Sequence, residues 1–128
     1  MLDYYASFVN LDSREDRLTH MKDQLERVGI KATRTRGLLP QEVKNDRTIV
    51  MERRTPGAIG CWYSQVGIMQ AALGMNKHAF VMEDDLIFCQ DFEDRLAYIE
   101  LWMQENDWDV FWLGGTFHSP AYWHCKGS

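Results

Sequence analysis

Three consecutive carboxylates, Glu83-Asp84-Asp85, follow directly on the apolar run Ala79-Phe80-Val81-Met82. Like charges in a row repel and cannot be buried without compensation. An apolar run closed by acids reads as a buried strand whose C-terminal end opens into a cleft. In open α/β sheets that end is where ligands bind. Clustered carboxylates there suit a hard divalent cation such as Mg²⁺ or Mn²⁺, and such ions usually also hold phosphate oxygens. Two readings follow: a metal–diphosphate site, or an acidic turn that only solvates the strand end.

The elements that must position this run can be traced along the chain. Tyr4–Leu11 is aromatic and apolar and reads as a strand. Ser13 is placed as an N-cap, with Asp16 three residues on as a capping-box variant. Leu18, Met21, Leu25 and Val28 recur at helical spacing and predict a helix over 14–28, with Gly29 as its stop. Lys31–Gly37 alternates as a short, polar second strand, so the first third is a βαβ unit with a parallel sheet. Leu38–Arg54 has no clean period and reads as a loop, with a short helix near Gln41–Lys44. Thr55 and Pro56 suit the N-cap and first position of a helix reaching Met75. That helix is apolar nearly all round, which predicts burial on several faces, with Gly57, Gly60, Gly67 and Gly74 thinning one side. After the Ala79–Met82 strand, Asp91 is placed as the cap of a helix over 92–105, with Phe92, Leu96, Ile99 and Met103 on one face. Trp108–Leu113 reads as a last strand ended by Gly114-Gly115. The order β-α-β-loop-α-β-α-β predicts one α/β domain over 1–128, a Rossmann-type, mostly parallel sheet flanked by helices.

Composition narrows the classes. The chain has 128 residues, 45% apolar and 26% charged, as in ordinary soluble globular proteins. A net charge of −5 argues against nonspecific nucleic-acid binding. Its basic residues nevertheless gather in one stretch, at Arg34, Arg36, Arg47, Arg53 and Arg54. Cys61, Cys89 and Cys125 form no CxxC pair or zinc pattern, so reduced thiols and a cytoplasmic location are expected. No secretory signal is visible, and no apolar segment approaches the ~20 residues that span a bilayer. Peripheral membrane association stays open.

Four segments resemble one family. Asn10-Leu11-Asp12-Ser13-Arg14-Glu15-Asp16-Arg17 resembles the NLD-x-x-x-x-R opening of glycosyltransferase family 25, the lipooligosaccharide and collagen galactosyltransferases. Gly57-Ala58-Ile59-Gly60-Cys61-Trp62-Tyr63-Ser64-Gln65 resembles its GEIGC-x-x-SH signature, with Ala58 where the family usually has Glu and Gln65 where it usually has His. Glu83-Asp84-Asp85 resembles its acidic, DxD-like motif, and Trp108–Gly114 its WD-x-x-x-LG strand. The resemblance implies a GT-A-like fold and inverting transfer of a hexose, galactose being usual, from a UDP-sugar to a saccharide or related hydroxyl acceptor. It implies Mn²⁺ or Mg²⁺ as cofactor and a role in lipopolysaccharide biosynthesis. Family members normally continue well past the LG strand, so the acceptor-binding part is expected to be short or missing here. The rival expectation is a truncated, non-catalytic nucleotide-sugar-binding or protein-interaction module.

Asp85 is the expected metal ligand, with Glu83 as its partner through water or toward the ribose. If extension persists, strand alternation points both the same way and leaves Asp84 structural or against substrate. Asn10 and Asp12 lie after the first strand and face either the uridine and ribose or an Asx-type turn. Arg17 either braces the loop or reaches the diphosphate. Arg34 and Arg36 share one strand face, as a basic wall near phosphates or as solvated surface. Ser64 and Gln65 are placed against the sugar, while Cys61 and Trp62 read as core. Inversion needs a general base. None is assignable, although His118 and His124 follow the last motif. His118 could instead complete the metal shell. Trp112, Tyr122 and Trp123 suit either sugar stacking or core.

Overall fold

The computed structural model describes residues 2–43 and 56–115. Expectations for Lys44, Arg47, Arg53, Arg54, Thr55, His118, Tyr122, Trp123, His124 and Cys125 lie outside these residues.

The chain runs β1 (Tyr4–Asn10), α1 (Glu15–Val28), β2 (Thr33–Arg36), a 3₁₀ turn (Pro40–Glu42), α2 (Pro56–Gly74), β3 (His78–Glu83) and α3 (Phe92–Glu105). The strands form one parallel sheet in the order β2-β1-β3. Ser7 pairs with Thr33 on one side and Val81 on the other. This is the mixed α/β, Rossmann-like arrangement expected, with β1 central.

Alternation along β1 assigns its two faces. Ala6 and Phe8 join Met82 of β3 against Met21, Leu25 and Val28 of α1, and Phe88 closes this core. Apolar side chains at helical spacing on α1 thus meet apolar side chains at strand spacing on β1, and water leaves both. The odd residues face the other way. There Ser7 is fully buried, its hydroxyl bonded to the Thr33 carbonyl (2.8 Å) and the Thr35 hydroxyl (2.6 Å). Thr33 and Thr35 share that face of β2, so Arg34 and Arg36 emerge on the α1 side.

α1 ends as expected. Gly29 adopts a left-handed φ of 69°, its N–H donates to the Glu26 carbonyl, and the Ile30 N–H reaches the Leu25 carbonyl. This Schellman geometry needs a residue without a Cβ penalty. The start differs from expectation. Arg14, not Ser13, is the N-cap, and no side chain caps the helix. The Asp16 carboxylate takes two bonds from the Arg14 guanidinium (2.9 and 2.8 Å) instead of closing a capping box. A charge-assisted bidentate pair outcompetes a bond to a solvated backbone N–H. Asp91 is likewise the N-cap of α3 without a side-chain cap bond, because its carboxylate takes the Arg95 guanidinium (2.7 Å).

α2 is buried on one face rather than several. Ser64, Ile68 and Ala72, four residues apart, are buried, whereas Trp62 is 47% and Leu73 79% exposed. Trp62 is therefore not core. Of the four glycines on α2, only Gly60 allows a close approach: a Cβ there would overlap the Leu38 carbonyl, and Gly57, Gly67 and Gly74 face open space.

The expected strand over Trp108–Leu113 does not form, and β3 is an edge of the three-stranded sheet among the described residues. The segment instead meets the rest through rings: Trp108 against His78 and Phe111 against Trp102. A parallel strand needs both faces covered as well as an apolar pattern. α3 buries none of its residues, so it offers no finished layer for such a strand to pack beneath. The face expected for α3, Phe92, Leu96, Ile99 and Met103, is its least exposed one.

Candidate functional site at the C-terminal edge of the sheet

With the order β2-β1-β3, the chain leaves β1 toward β2 and then crosses back to β3. The crevice between the ends of β1 and β3 is thus the topological switch point of the sheet, where open α/β sheets bind ligands. Asn10 ends β1 and Glu83 ends β3.

Extension stops at Glu83. The Leu86 N–H bonds the Glu83 carbonyl (3.3 Å), and Asp84 and Asp85 form the corner of that turn. The expectation that Glu83 and Asp85 point together along a continuing strand is therefore corrected. A turn relieves the repulsion of consecutive acids by aiming each carboxylate differently.

Their surroundings differ accordingly. Glu83 points toward α2, where its Oε1 accepts from Gln65 Nε2 (3.0 Å) and lies 3.7 Å from the Cys61 thiol. Burial and then the nearby Glu83 charge push the Cys61 thiol up, so it stays protonated and unreactive at neutral pH. Asp84 turns inward and is 8% exposed. Its Oδ2 accepts from Asn10 Nδ2 (2.8 Å) and its Oδ1 from Arg17 Nη1 (3.1 Å). Asp85 is exposed and makes no hydrogen bond or ion pair with the described residues.

Asn10 is 1% exposed and committed to protein partners. Its amide donates to the Arg14 carbonyl (3.1 Å) as well as to Asp84, and its Oδ1 accepts from Arg34 Nε (2.9 Å). The β1 end is thus tied to the β3 turn directly beneath the crevice. Arg34 and Arg36 do not form an unopposed basic wall. Asp12 takes Arg34 (2.6 Å) and Arg36 (2.7 Å), and Arg36 also grips Glu42 (2.7 Å). These guanidinium bonds hold the Asp12 and Glu42 carboxyls below their ordinary range. Ser64 is stitched between the Leu38 N–H (3.0 Å) and the Gly60 carbonyl (2.7 Å), joining α2 to the loop after β2. Of the residues expected from sequence, Asn10, Arg17, Asp84, Gln65, Glu83 and Asp85 come together around the turn. Asp12 lies with the arginines of β2, and Ser64 is inside the α2 packing.

Sequence reasoning passed over His20, Gln24 and Arg27. His20 Nε2 contacts the Leu86 carbonyl (2.7 Å), Gln24 accepts from the Phe88 N–H (3.0 Å), and Arg27 donates to the Phe88 carbonyl. Their spacing with Arg17 follows the helical period, which was the available signal. Neither described histidine is placed as a base at the crevice: His20 is held on the loop, and His78 opens β3 at the opposite end of the strand.

Among the described residues, no three His, Cys, Asp or Glu side chains converge as a ready metal cage. A magnesium-type ion needs none, since one or two carboxylates plus substrate phosphates and water complete its shell. Asp85 is an exposed carboxylate of that chemistry, and Glu83, turned toward α2, leaves its second oxygen outside the Gln65 bond. No helix of the described residues is long and apolar enough to cross a membrane.

No curated protein and no solved structure matches the chain. The model of glycosyltransferase family 25 (LPS biosynthesis protein) matches residues 6–121, which include the C-terminal ends of β1 and β3. The chain therefore belongs to glycosyltransferase family 25.

Proposed function

We propose that this chain binds a UDP-sugar at the β1/β3 crevice and transfers its hexose, galactose by family habit, with inversion to a saccharide acceptor of lipopolysaccharide assembly. The observation that carries this reading is the division of labour within Glu83-Asp84-Asp85. Asp84 is consumed inside the protein, Glu83 keeps one oxygen free, and Asp85 is left open at the C-terminal edge of the sheet. An acidic turn meant only for solvation has no need of a buried middle carboxylate, which is costly unless it is paired.

Asp85, with Glu83 beside it, would hold Mn²⁺ or Mg²⁺, and the ion would supply Lewis-acid stabilisation of the departing diphosphate. The pairing of the nearby arginines supports this reading. Arg34 and Arg36 are already neutralised by Asp12 and Glu42, and Arg17 by Asp84, so no unpaired guanidinium among these three waits for phosphate. Gln65 orients Glu83 without adding charge to the crevice.

Calorimetric titration of UDP-galactose, with and without Mn²⁺, into wild type and Asp85→Asn tests the proposal. Mn²⁺-dependent heat in wild type that is lost in the variant supports it. No heat from folded protein with any common UDP-sugar overturns the transferase reading and favours a non-catalytic module.

A further inference from the structure

Four polar side chains of α1, Arg17, His20, Gln24 and Arg27, follow one another at intervals of three, four and three residues and form one stripe of the helix. Their partners lie on successive inward positions of the loop after β3. Arg17 takes the Asp84 carboxylate (3.1 Å), His20 the Leu86 carbonyl (2.7 Å), Gln24 the Phe88 N–H (3.0 Å) and Arg27 the Phe88 carbonyl. This loop has no regular structure from Leu86 to Cys89, so its backbone groups find no ladder partner there. It alternates all the same. Asp84 and Phe88 are buried and Leu86 packs against the core, whereas Asp85 and Ile87 face outward. The helix therefore grips every second residue and leaves Asp85 between two gripped ones.

We propose that this α1 stripe is a positioning clamp that fixes the 84–88 loop and so sets where the Asp85 carboxylate stands for a divalent cation and a diphosphate. The inference rests on the functional reading above, but its test separates the two. Holding a ligand carboxylate from outside its own shell is how metal sites keep their geometry. None of the four residues needs to touch the ligand, and Arg17 acts through Asp84.

The test compares wild type, Arg17→Met, Arg17→Lys, Gln24→Ala and the Arg17→Met/Gln24→Ala double variant. Amide hydrogen exchange is read by NMR, and Mn²⁺ affinity is read in the presence of UDP. The Arg17 side chain is 40% exposed, so Arg17→Met should fold even if the double variant does not. The clamp predicts that exchange of the Phe88 amide speeds by about tenfold or more in Gln24→Ala, with β1 amides unchanged. It also predicts that Mn²⁺ affinity falls by about fivefold or more in Arg17→Met and recovers in Arg17→Lys. The direction is diagnostic, because deleting a nearby cation should by charge alone tighten metal binding. Unchanged or tighter Mn²⁺ binding in Arg17→Met, or unchanged Phe88 exchange in Gln24→Ala, overturns the clamp. If wild type itself binds no Mn²⁺ with UDP, the functional reading falls, and exchange alone then decides whether the stripe holds the loop.

Discussion

Cutting the tie between the ends of β1 and β3 should cost far more than its few atoms suggest. Asp84→Ala removes the acceptor of Asn10 Nδ2, at 2.8 Å, on a residue only 1% exposed. A hydrogen bond to a charged group contributes about 1.5–3 kcal/mol, and a stranded buried donor adds its desolvation penalty. The Arg17 contact adds less than about 1 kcal/mol, because that side chain is 40% exposed and can rehydrate. The expected loss is about 2–4 kcal/mol. Asn10→Ala should lose about as much or more, since it also removes the acceptor of Arg34 Nε and a second donor to the Arg14 carbonyl, and leaves Asp84 buried with Arg17 alone. The double variant should then be less destabilised than the sum, with a coupling of about 1–3 kcal/mol. Urea unfolding followed by linear extrapolation measures each corner of the cycle. Single losses below about 0.5 kcal/mol, or additivity within that margin, would refute the tie as a structural element.

Asp85→Asn, by contrast, should change stability by less than about 0.5 kcal/mol in the same assay, since that carboxylate has no partner to lose among the described residues. Gly60→Ala should destabilise by about 1–3 kcal/mol because its Cβ overlaps the Leu38 carbonyl. Gly67→Ala, with open space around it, should stabilise by about 0.5–1 kcal/mol through helix propensity. On acidification, the Arg36 links to Asp12 and Glu42 should persist below the ordinary carboxyl values of 3.8 and 4.5. Both folded values are depressed, so their stabilisation is complete above those values and is lost as pH falls through the folded ones. NMR titration of the two carboxyl resonances checks this, and midpoints at or above the ordinary values would contradict it.

The sequence made some elements plain and not others, for physical reasons. α1 was legible because its apolar period, its Gly29 stop and its partner β1 all agree. β3 was legible because an apolar run ending in acids has few other homes. Trp108–Leu113 misled because strand-like composition does not supply a partner strand or a covering layer. The start of α1 misled because Asp16 had Arg14 within reach, which local capping rules ignore, whereas Asp91 is the N-cap of α3 as expected even though its carboxylate bonds Arg95. At the site, alternation correctly separated Asp84 from Glu83 but failed at Asp85, where the strand becomes a turn. The bonds from His20, Gln24 and Arg27 reach 61 to 66 residues along the chain, a distance no local pattern spans.

We propose that Asp85 marks the cation and diphosphate site. Paramagnetic broadening of the NMR spectrum by Mn²⁺, added with UDP to the ¹⁵N-labelled chain, reads the position of the ion residue by residue. Amides of Glu83, Asp84 and Asp85 should broaden first, and the effect should disappear in Asp85→Asn. Broadening centred elsewhere, or an unchanged pattern in the variant, would contradict it.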